Sequence, residues 1–405
     1  MKKFKIIPRF SPAIKLDDFS VFFKKADVPN IINRFEEQFA SFLNRKYAIF
    51  TPSGRCALQL ILQNLAYQDK RKKVIMPSFT HPSVPLMISK LNLKPIFFDV
   101  GRESFLLEVE DSKKYNDCLA VVSANLFGLS ADMNKIIKFA QDNTMYLIED
   151  CAQSLGAMYE NKLSGSFGHA SFYSFSITKN FTTLSGGMLV TDDEGLKSMC
   201  QEVIREDKEV VAEIIKAFLF VLFSNPVIFS LFLYPLLLAF RKNDLLETIF
   251  KENILLSDGL DNEIKYPSFI KASLGLSQLN VLKEMNDQRR ENGQYMSLLL
   301  NDFKNHLVYP HPYAKSNPVY LSFPVLVKNR ENLKRYLLQK GVDSTIGFLK
   351  ACHLLDPFRE QNFSCPNAEF IEQNILHLPI HHKLSKVDIE YMVGVLKDYF
   401  GKYES

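Results

Sequence analysis

Met145–Leu189 reads MYLIEDCAQSLGAMYENKLSGSFGHASFYSFSITKNFTTLSGGML, and the order of residue types within it decides the fold. Met145–Ile148 is a short apolar run that leads into two carboxylates, Glu149 and Asp150, with Gln153 close behind. A glycine-punctuated loop comes next, then the apolar run Ala170–Phe175. A single lysine, Lys179, follows between Ser174/Ser176 and Gly186-Gly187. Short apolar runs bounded by turn residues read as buried strands. An acid at the end of a buried strand, and a lysine about thirty residues later after a serine-rich turn, is a set suited to pyridoxal phosphate. The acid, Asp150, would keep a ring nitrogen protonated, Lys179 would form the Schiff base, and a serine would bind phosphate. The plain alternative is a strand-rich core with a solvated lysine. The flanking segments weigh against it.

Ile148-Glu149-Asp150-Cys151-Ala152-Gln153, Gly165…Gly168 and Ser174-Phe175-Ser176-Ile177-Thr178-Lys179…Gly186-Gly187 together resemble the DegT/DnrJ/EryC1/StrS family of sugar aminotransferases. That family is a branch of the fold-type I enzymes that use pyridoxal phosphate. The resemblance implies an α/β fold with a mainly parallel central sheet, helices on both faces and a small α/β C-terminal domain. The chain is expected to divide into an N-terminal arm over residues 1–30, a large cofactor-binding domain over 31–265 interrupted by an apolar insertion at 211–250 that the resemblance does not cover, and a linking helix with the small domain over 266–405.

At 405 residues with 47% hydrophobic content, the chain suits two packed domains. A net charge of +4 without a basic stripe does not point to nucleic acid. The six cysteines are scattered without a C-x-x-C pair, which fits a reducing cytosol rather than a disulfide framework or a zinc site. The N-terminus MKKFKIIPRF has no sustained apolar run and reads as no signal peptide. The expected location is therefore cytoplasmic.

Residues 1–30 hold several prolines and read as an irregular arm lying on the main domain. Ile31, Ile32, Phe35, Phe39 and Leu43 have helical spacing, with Asn30 as a candidate N-cap. Tyr47–Phe50 reads as a strand, and Ser53-Gly54-Arg55 as a small-residue turn that opens a helix. Such a turn presents free N–H groups to an anion. By resemblance it holds the cofactor phosphate together with Ser174. Arg55 stands where the family has a small residue, and either adds a charge to that site or points outward. His81 follows the strand Lys73–Pro77 at a position where the family carries an aromatic that stacks on the pyridine ring. An imidazole can stack too, and the alternative is a loop histidine with no ligand. Asn125-Leu126-Phe127-Gly128 matches a family H-x-x-G segment with asparagine in place of histidine. Ala131–Asn143 reads as a helix.

Ala217–Phe240 is a 24-residue run without a charge, AFLFVLFSNPVIFSLFLYPLLLAF. Its length is nominally enough to span a bilayer. Asn225-Pro226 and Pro235 would break a spanning helix, and one span would divide the cofactor domain across a membrane. Two readings stay open: a helical hairpin that dips into one leaflet at the inner face of the membrane, and a pair of buried helices at a subunit interface.

Tyr266–Leu300 resembles the long helix that joins the two domains in the family. Val319–Val327 reads as an alternating strand, and Arg330–Lys340 as a helix stopped by Gly341. By resemblance, Phe348 and His353 border the substrate pocket. His377–Ser385 looks like the family's L-P-I-H-x-x-L-S segment, and the last helix is expected over Lys386–Phe400. His381-His382 lacks a third ligand at suitable spacing, so no metal is assigned.

The resemblance implies an aminotransferase with pyridoxal 5'-phosphate on Lys179, Asp150 on the ring nitrogen and Gln153 on the 3-oxygen side. It implies glutamate as donor, a nucleotide-linked keto-sugar as acceptor and a homodimer. Rival readings are a sugar dehydratase, in which the family replaces the lysine by histidine, a lipid-linked or amphipathic ketone as acceptor, and a non-catalytic regulator on the same fold.

Overall fold

In this computed structural model, residues 6–11, 14, 28–110, 112–206, 215, 264–266 and 268–403 are described. Seven apolar runs of five to seven residues supply one sheet: β1 (Tyr47–Thr51), β2 (Lys73–Pro77), β3 (Lys94–Phe98), β4 (Cys118–Ala124), β5 (Tyr146–Asp150), β6 (Ala170–Ser174) and β7 (Gly187–Thr191). Their order across the sheet is β1-β7-β6-β5-β4-β2-β3. β2 to β6 run parallel, and β7 runs antiparallel to both β6 and β1. All seven residues of β4 are buried. A strand covered on both faces reads as a continuous apolar run, which is why CLAVVSA shows no alternation.

The helices of this region are α1 (Val28–Leu43), α2 (Gly54–Gln68), α3 (Ser83–Lys90), α4 (Met133–Asp142) and α5 (Glu194–Val203). α2 is buried nearly all round, from Cys56 and Ala57 to Asn64 and Leu65, as a helix enclosed in a core must be. α1 begins at Val28, so Asn30 lies inside its first turn and is not its N-cap. The long helix α6 (Phe269–Leu300) crosses α1 closely at Gly275, where an added Cβ would stand 2.4 Å from the Phe35 ring. Phe35, Phe39, Phe50, Phe175 and Phe181 form the aromatic core beneath that crossing.

The C-terminal region contains β8 (Phe323–Leu326), α7 (Arg330–Gln339), α8 (Pro366–Asn374), β9 (Ile375–Leu378) and α9 (Lys386–Tyr403). β8 and β9 pair antiparallel. The alternating strand expected over Val319–Val327 is shorter than that reading. Tyr320 has a positive φ of 45°, which ends extended backbone, and all four residues of β8 are buried. Gly341 stops α7 with φ 78°. Two described residues of the N-terminal arm, Ile7 and Arg9, are bonded to this region. Ile7 N–H donates to Gly341 O at 2.8 Å, and Arg9 forms a two-pronged ion pair with Asp343 at 2.8 and 2.7 Å.

The apolar run 217–240 and nearly all of the insertion expected at 211–250 lie outside the described residues. Among the described residues, no helix is long and apolar enough to cross a membrane.

Parallel strands place their C-terminal ends on one edge of a sheet, where ligand sites form in such folds. Here that edge collects Ser78 after β2, Asn125 after β4, Asp150 at the end of β5 and Ser174 at the end of β6. Ser53-Gly54 after β1 joins them, because β1 runs the same way as β6.

Candidate active site

The loop from Gly165 to Gly168 is shaped by a charge. Glu149 is fully buried, and its carboxylate accepts N–H bonds from Gly165, Phe167 and Gly168 at 2.8, 2.7 and 2.8 Å. Burial raises its pKa and the three donors oppose that rise. Glu149→Ala would leave three buried donors without an acceptor. An expected loss of about 4 kcal/mol of folding stability follows, read as a lower urea midpoint at unchanged slope.

Asp150 is 6% exposed and accepts the Ala152 N–H at 3.0 Å. Burial pushes its carboxyl up to about 6, while the Ala152 N–H and the charge of Lys179 hold it down. Lys179 is half-buried on the loop after β6, and its N–H donates to Ser176 O at 3.0 Å. Burial lowers its amine to about 8, and Asp150 works against that. An acid raised and an amine lowered toward the same working range is the arrangement that acid–base chemistry near neutral pH requires.

The Lys179 loop is pinned from below by α6. Gln278 Oε1 accepts the Thr182 N–H at 2.9 Å, and the Asn180 side chain donates to Asn286 Oδ1 at 3.0 Å and to Leu155 O at 2.9 Å. Gln278 stands in the A-S-L-G-L-S-Q-L segment whose sequence signals a helix, not a contact to the lysine loop. Only the fold brings them together.

Ser53 caps α2, its Oγ accepting the Cys56 N–H at 3.1 Å. Gly54 lies against β6, where an added Cβ would meet Tyr173 O at 3.0 Å and Ser174 Cβ at 3.2 Å. An added Cβ on Gly187 would stand 2.5 Å from Gly54 N. Three backbones therefore meet at Ser53-Gly54, Ser174 and Gly187, and the meeting needs glycine at 54 and 187. Burial and the charges of Lys179 and Arg55 all lower the pKa of His81. Gln153 Oε1 accepts the Phe127 N–H at 2.9 Å, which holds the amide beside Asn125-Gly128. Asn125 is buried and braces its own turn, accepting the Ala131 N–H at 2.9 Å and donating to Cys151 Sγ at 3.7 Å.

Phe348 is half-buried after Gly347, which has φ 82°. His353 is 2% exposed and spends both ring nitrogens, with Ser78 Oγ at 2.5 Å from Nδ1 and Glu369 Oε1 at 3.1 Å from Nε2. The structure thus sets His353 behind the strand that leads to His81. It does not open His353 to the space beside Lys179. His381 is buried beside Arg289, whose guanidinium donates to Tyr320 O and Ile380 O.

The family model for DegT/DnrJ/EryC1/StrS aminotransferases matches residues 27–210 and 268–397. The chain belongs to the DegT/DnrJ/EryC1/StrS aminotransferase family. It is an enzyme, a pyridoxal-phosphate-dependent aminotransferase. The chain is 35% identical over 173 residues to a GDP-perosamine synthase of Escherichia coli O157:H7, covering 42% of this chain and 47% of that one. It is 22% identical to a GDP-4-keto-6-deoxy-D-mannose 3-dehydratase of Escherichia coli O55:H7, covering 90% of this chain and 92% of that one. In fold it is similar to an aminotransferase of Helicobacter pylori involved in the biosynthesis of pseudoaminic acid, with TM-score 0.75, 18% identity, and 98% and 100% of the two chains covered. These relatives include sugar aminotransferases and a sugar dehydratase.

The residues present fit the family's cofactor. Asp150 is a buried carboxylate with one backbone donor, suited to take a ring N–H. The Gly54–Gly187 junction keeps side chains out of the space beside Ser53 and Ser174, where a phosphate would sit against the start of α2. Sequence reading missed Glu149 as the organiser of the Gly165–Gly168 loop. An acid placed just before a glycine-rich loop is the signal that could have found it.

Proposed function

We propose that this enzyme moves an amino group from an amino acid, glutamate, to a keto-sugar carried on a nucleotide, for a cell-surface polysaccharide or glycoconjugate. The observation that carries the reading is Lys179, half-buried with a lowered pKa beside buried Asp150, in a chain of this family. Bound pyridoxal phosphate supplies an electron sink for the pair left at the donor's Cα. Asp150 holds the proton on the ring nitrogen. Lys179, as the neutral amine, takes the proton from the donor's Cα and returns one to the carbon that receives nitrogen on the sugar. Ser53, Gly54, Ser174 and Arg55 would hold the phosphate, His81 would cover the ring, and Gln153 would face its 3-oxygen side. Phe348 and His353 stand on the sugar side, Phe348 as contact and His353 as the support behind it. The keto acid leaves before the sugar binds, and a second copy of the chain completes the site.

Two observations favour transfer over dehydration or a retired fold. Lys179 is present where the resemblance gives histidine to the dehydratases. Asp150, Gln153 and Ser174 are all retained with it. The uncharged run 217–240 supports a further placement of the enzyme at the inner face of the membrane, toward a lipid-linked or nucleotide-linked sugar. Vesicle co-sedimentation of the full chain and of a 217–240 deletion tests that placement, and equal behaviour of the two removes it.

The reaction is tested with nitrogen-15 glutamate and a panel of nucleotide-linked keto-sugars, read by mass spectrometry. Label in the sugar is the expected result. A glutamate half-reaction that never labels any sugar would remove the sugar as acceptor.

A further inference from the structure

His81 is the residue at which this chain departs from the family's aromatic wall, and its surroundings fix its chemistry. Its Nδ1 lies 3.2 Å from the Ser83 N–H and 2.7 Å from Ser83 Oγ. A backbone N–H only donates, so Nδ1 is the acceptor and the ring proton resides on Nε2. The Ser83 N–H is the first donor of α3, whose preceding residue, Pro82, makes no side-chain cap. The imidazole therefore takes the place of a cap. Its Nε2–H is engaged by no group among the described residues. The ring is half-buried and faces three positive influences: Lys179, Arg55 and the N-terminal end of α3. Burial and the two cations lower its pKa to about 4, so the ring is neutral at working pH.

We infer that His81 is held by Ser83 as a neutral, Nε2-protonated imidazole that donates a hydrogen bond to an anionic oxygen of the bound cofactor, adding a polar contact to the stacking role. The inference rests on the proposed cofactor site. A phenylalanine or tyrosine wall at this position offers a face but no ring N–H. Arg55, also a departure from the family pattern, bears electrostatically on the same imidazole.

The test has two parts. The first is nitrogen-15 NMR of histidine-labelled, cofactor-free protein between about pH 6 and pH 8. The expected spectrum for His81 is a neutral ring with the proton on Nε2, kept in Ser83→Ala because the backbone N–H of residue 83 remains. A proton on Nδ1, or a charged ring at neutral pH, overturns the proposal without touching the cofactor reading.

The second part is the dissociation constant of pyridoxal phosphate, followed by absorbance, for wild type, His81→Phe and His81→Gln. Phenylalanine keeps the face and loses the donor, so binding is expected to weaken roughly ten- to hundredfold, as for a hydrogen bond to a charged acceptor. Glutamine keeps a donor and is expected to recover part of that loss. Wild-type affinity in His81→Phe overturns the donor role, even if the affinity for a sugar substrate changes. The same titration with pyridoxal, which lacks the phosphate, assigns the oxygen: a loss confined to pyridoxal phosphate places it on the phosphate, and an equal loss places it on the ring. Failure of wild type itself to bind pyridoxal phosphate would overturn the cofactor site, a result separate from the NMR outcome.

Discussion

Lys179→Ala is expected to abolish amino transfer, lowering kcat by about three orders of magnitude or more, because in the proposed mechanism one side chain serves as both nucleophile and proton carrier. The fold should survive, since Lys179 is half-buried and its loop is held by Asn180, Thr182 and α6. The same lysine predicts a pH dependence in wild type. Burial lowers its amine from 10.5 to about 8, so the neutral fraction rises about tenfold per pH unit below that point and levels off above it. Capture of pyridoxal phosphate, trapped with borohydride and located by peptide mass spectrometry, should rise in step, with Lys179 labelled first. A labelling rate that climbs steadily to pH 10, as for a solvent-exposed lysine, would contradict the geometry.

Asp150→Asn is expected to act in opposite directions on activity and on stability. The amide keeps the shape and loses the charge that holds a ring proton, so amino transfer should fall by about 10²–10³-fold. The cofactor-free protein should become more stable. Burial raises the folded carboxyl to about 6, whereas the unfolded chain keeps 3.8, so between these values the folded state holds the extra proton. The stability tied to that proton is present in full below pH 3.8 and lost as pH climbs through 6. At neutral pH the loss amounts to about 3 kcal/mol, which asparagine does not suffer. Denaturant unfolding of the two cofactor-free proteins at pH 5 and pH 8 measures this. A wild type whose stability did not fall over that range would show that Asp150 is not desolvated.

How much was legible in the sequence differs from residue to residue. The strands of the main sheet were readable because burial on both faces leaves apolar runs such as CLAVVSA and YLIED. Gly341 marked the end of α7 through a conformation that glycine adopts without strain. The strand at Val319–Val327 was overestimated, because alternation cannot show that Tyr320 turns to positive φ. The contacts of Ile7 and Arg9 with Gly341 and Asp343 were not legible, because nothing in the arm's composition names those partners.

The sequence by itself determined the family and the fold class, and it singled out the candidate acid, serine and lysine. Those properties are carried by residue types in a fixed local order. Tertiary structure alone decided what those residues feel. Asp150 and Lys179 act on each other across two strands and a loop, Gln278 reaches the lysine loop from a helix 96 positions away, and His353 bonds Ser78 across 275 positions. Shifts such as those of Asp150, Lys179 and His81 come from desolvation and from charges brought close through space. Neither quantity exists until the chain has folded.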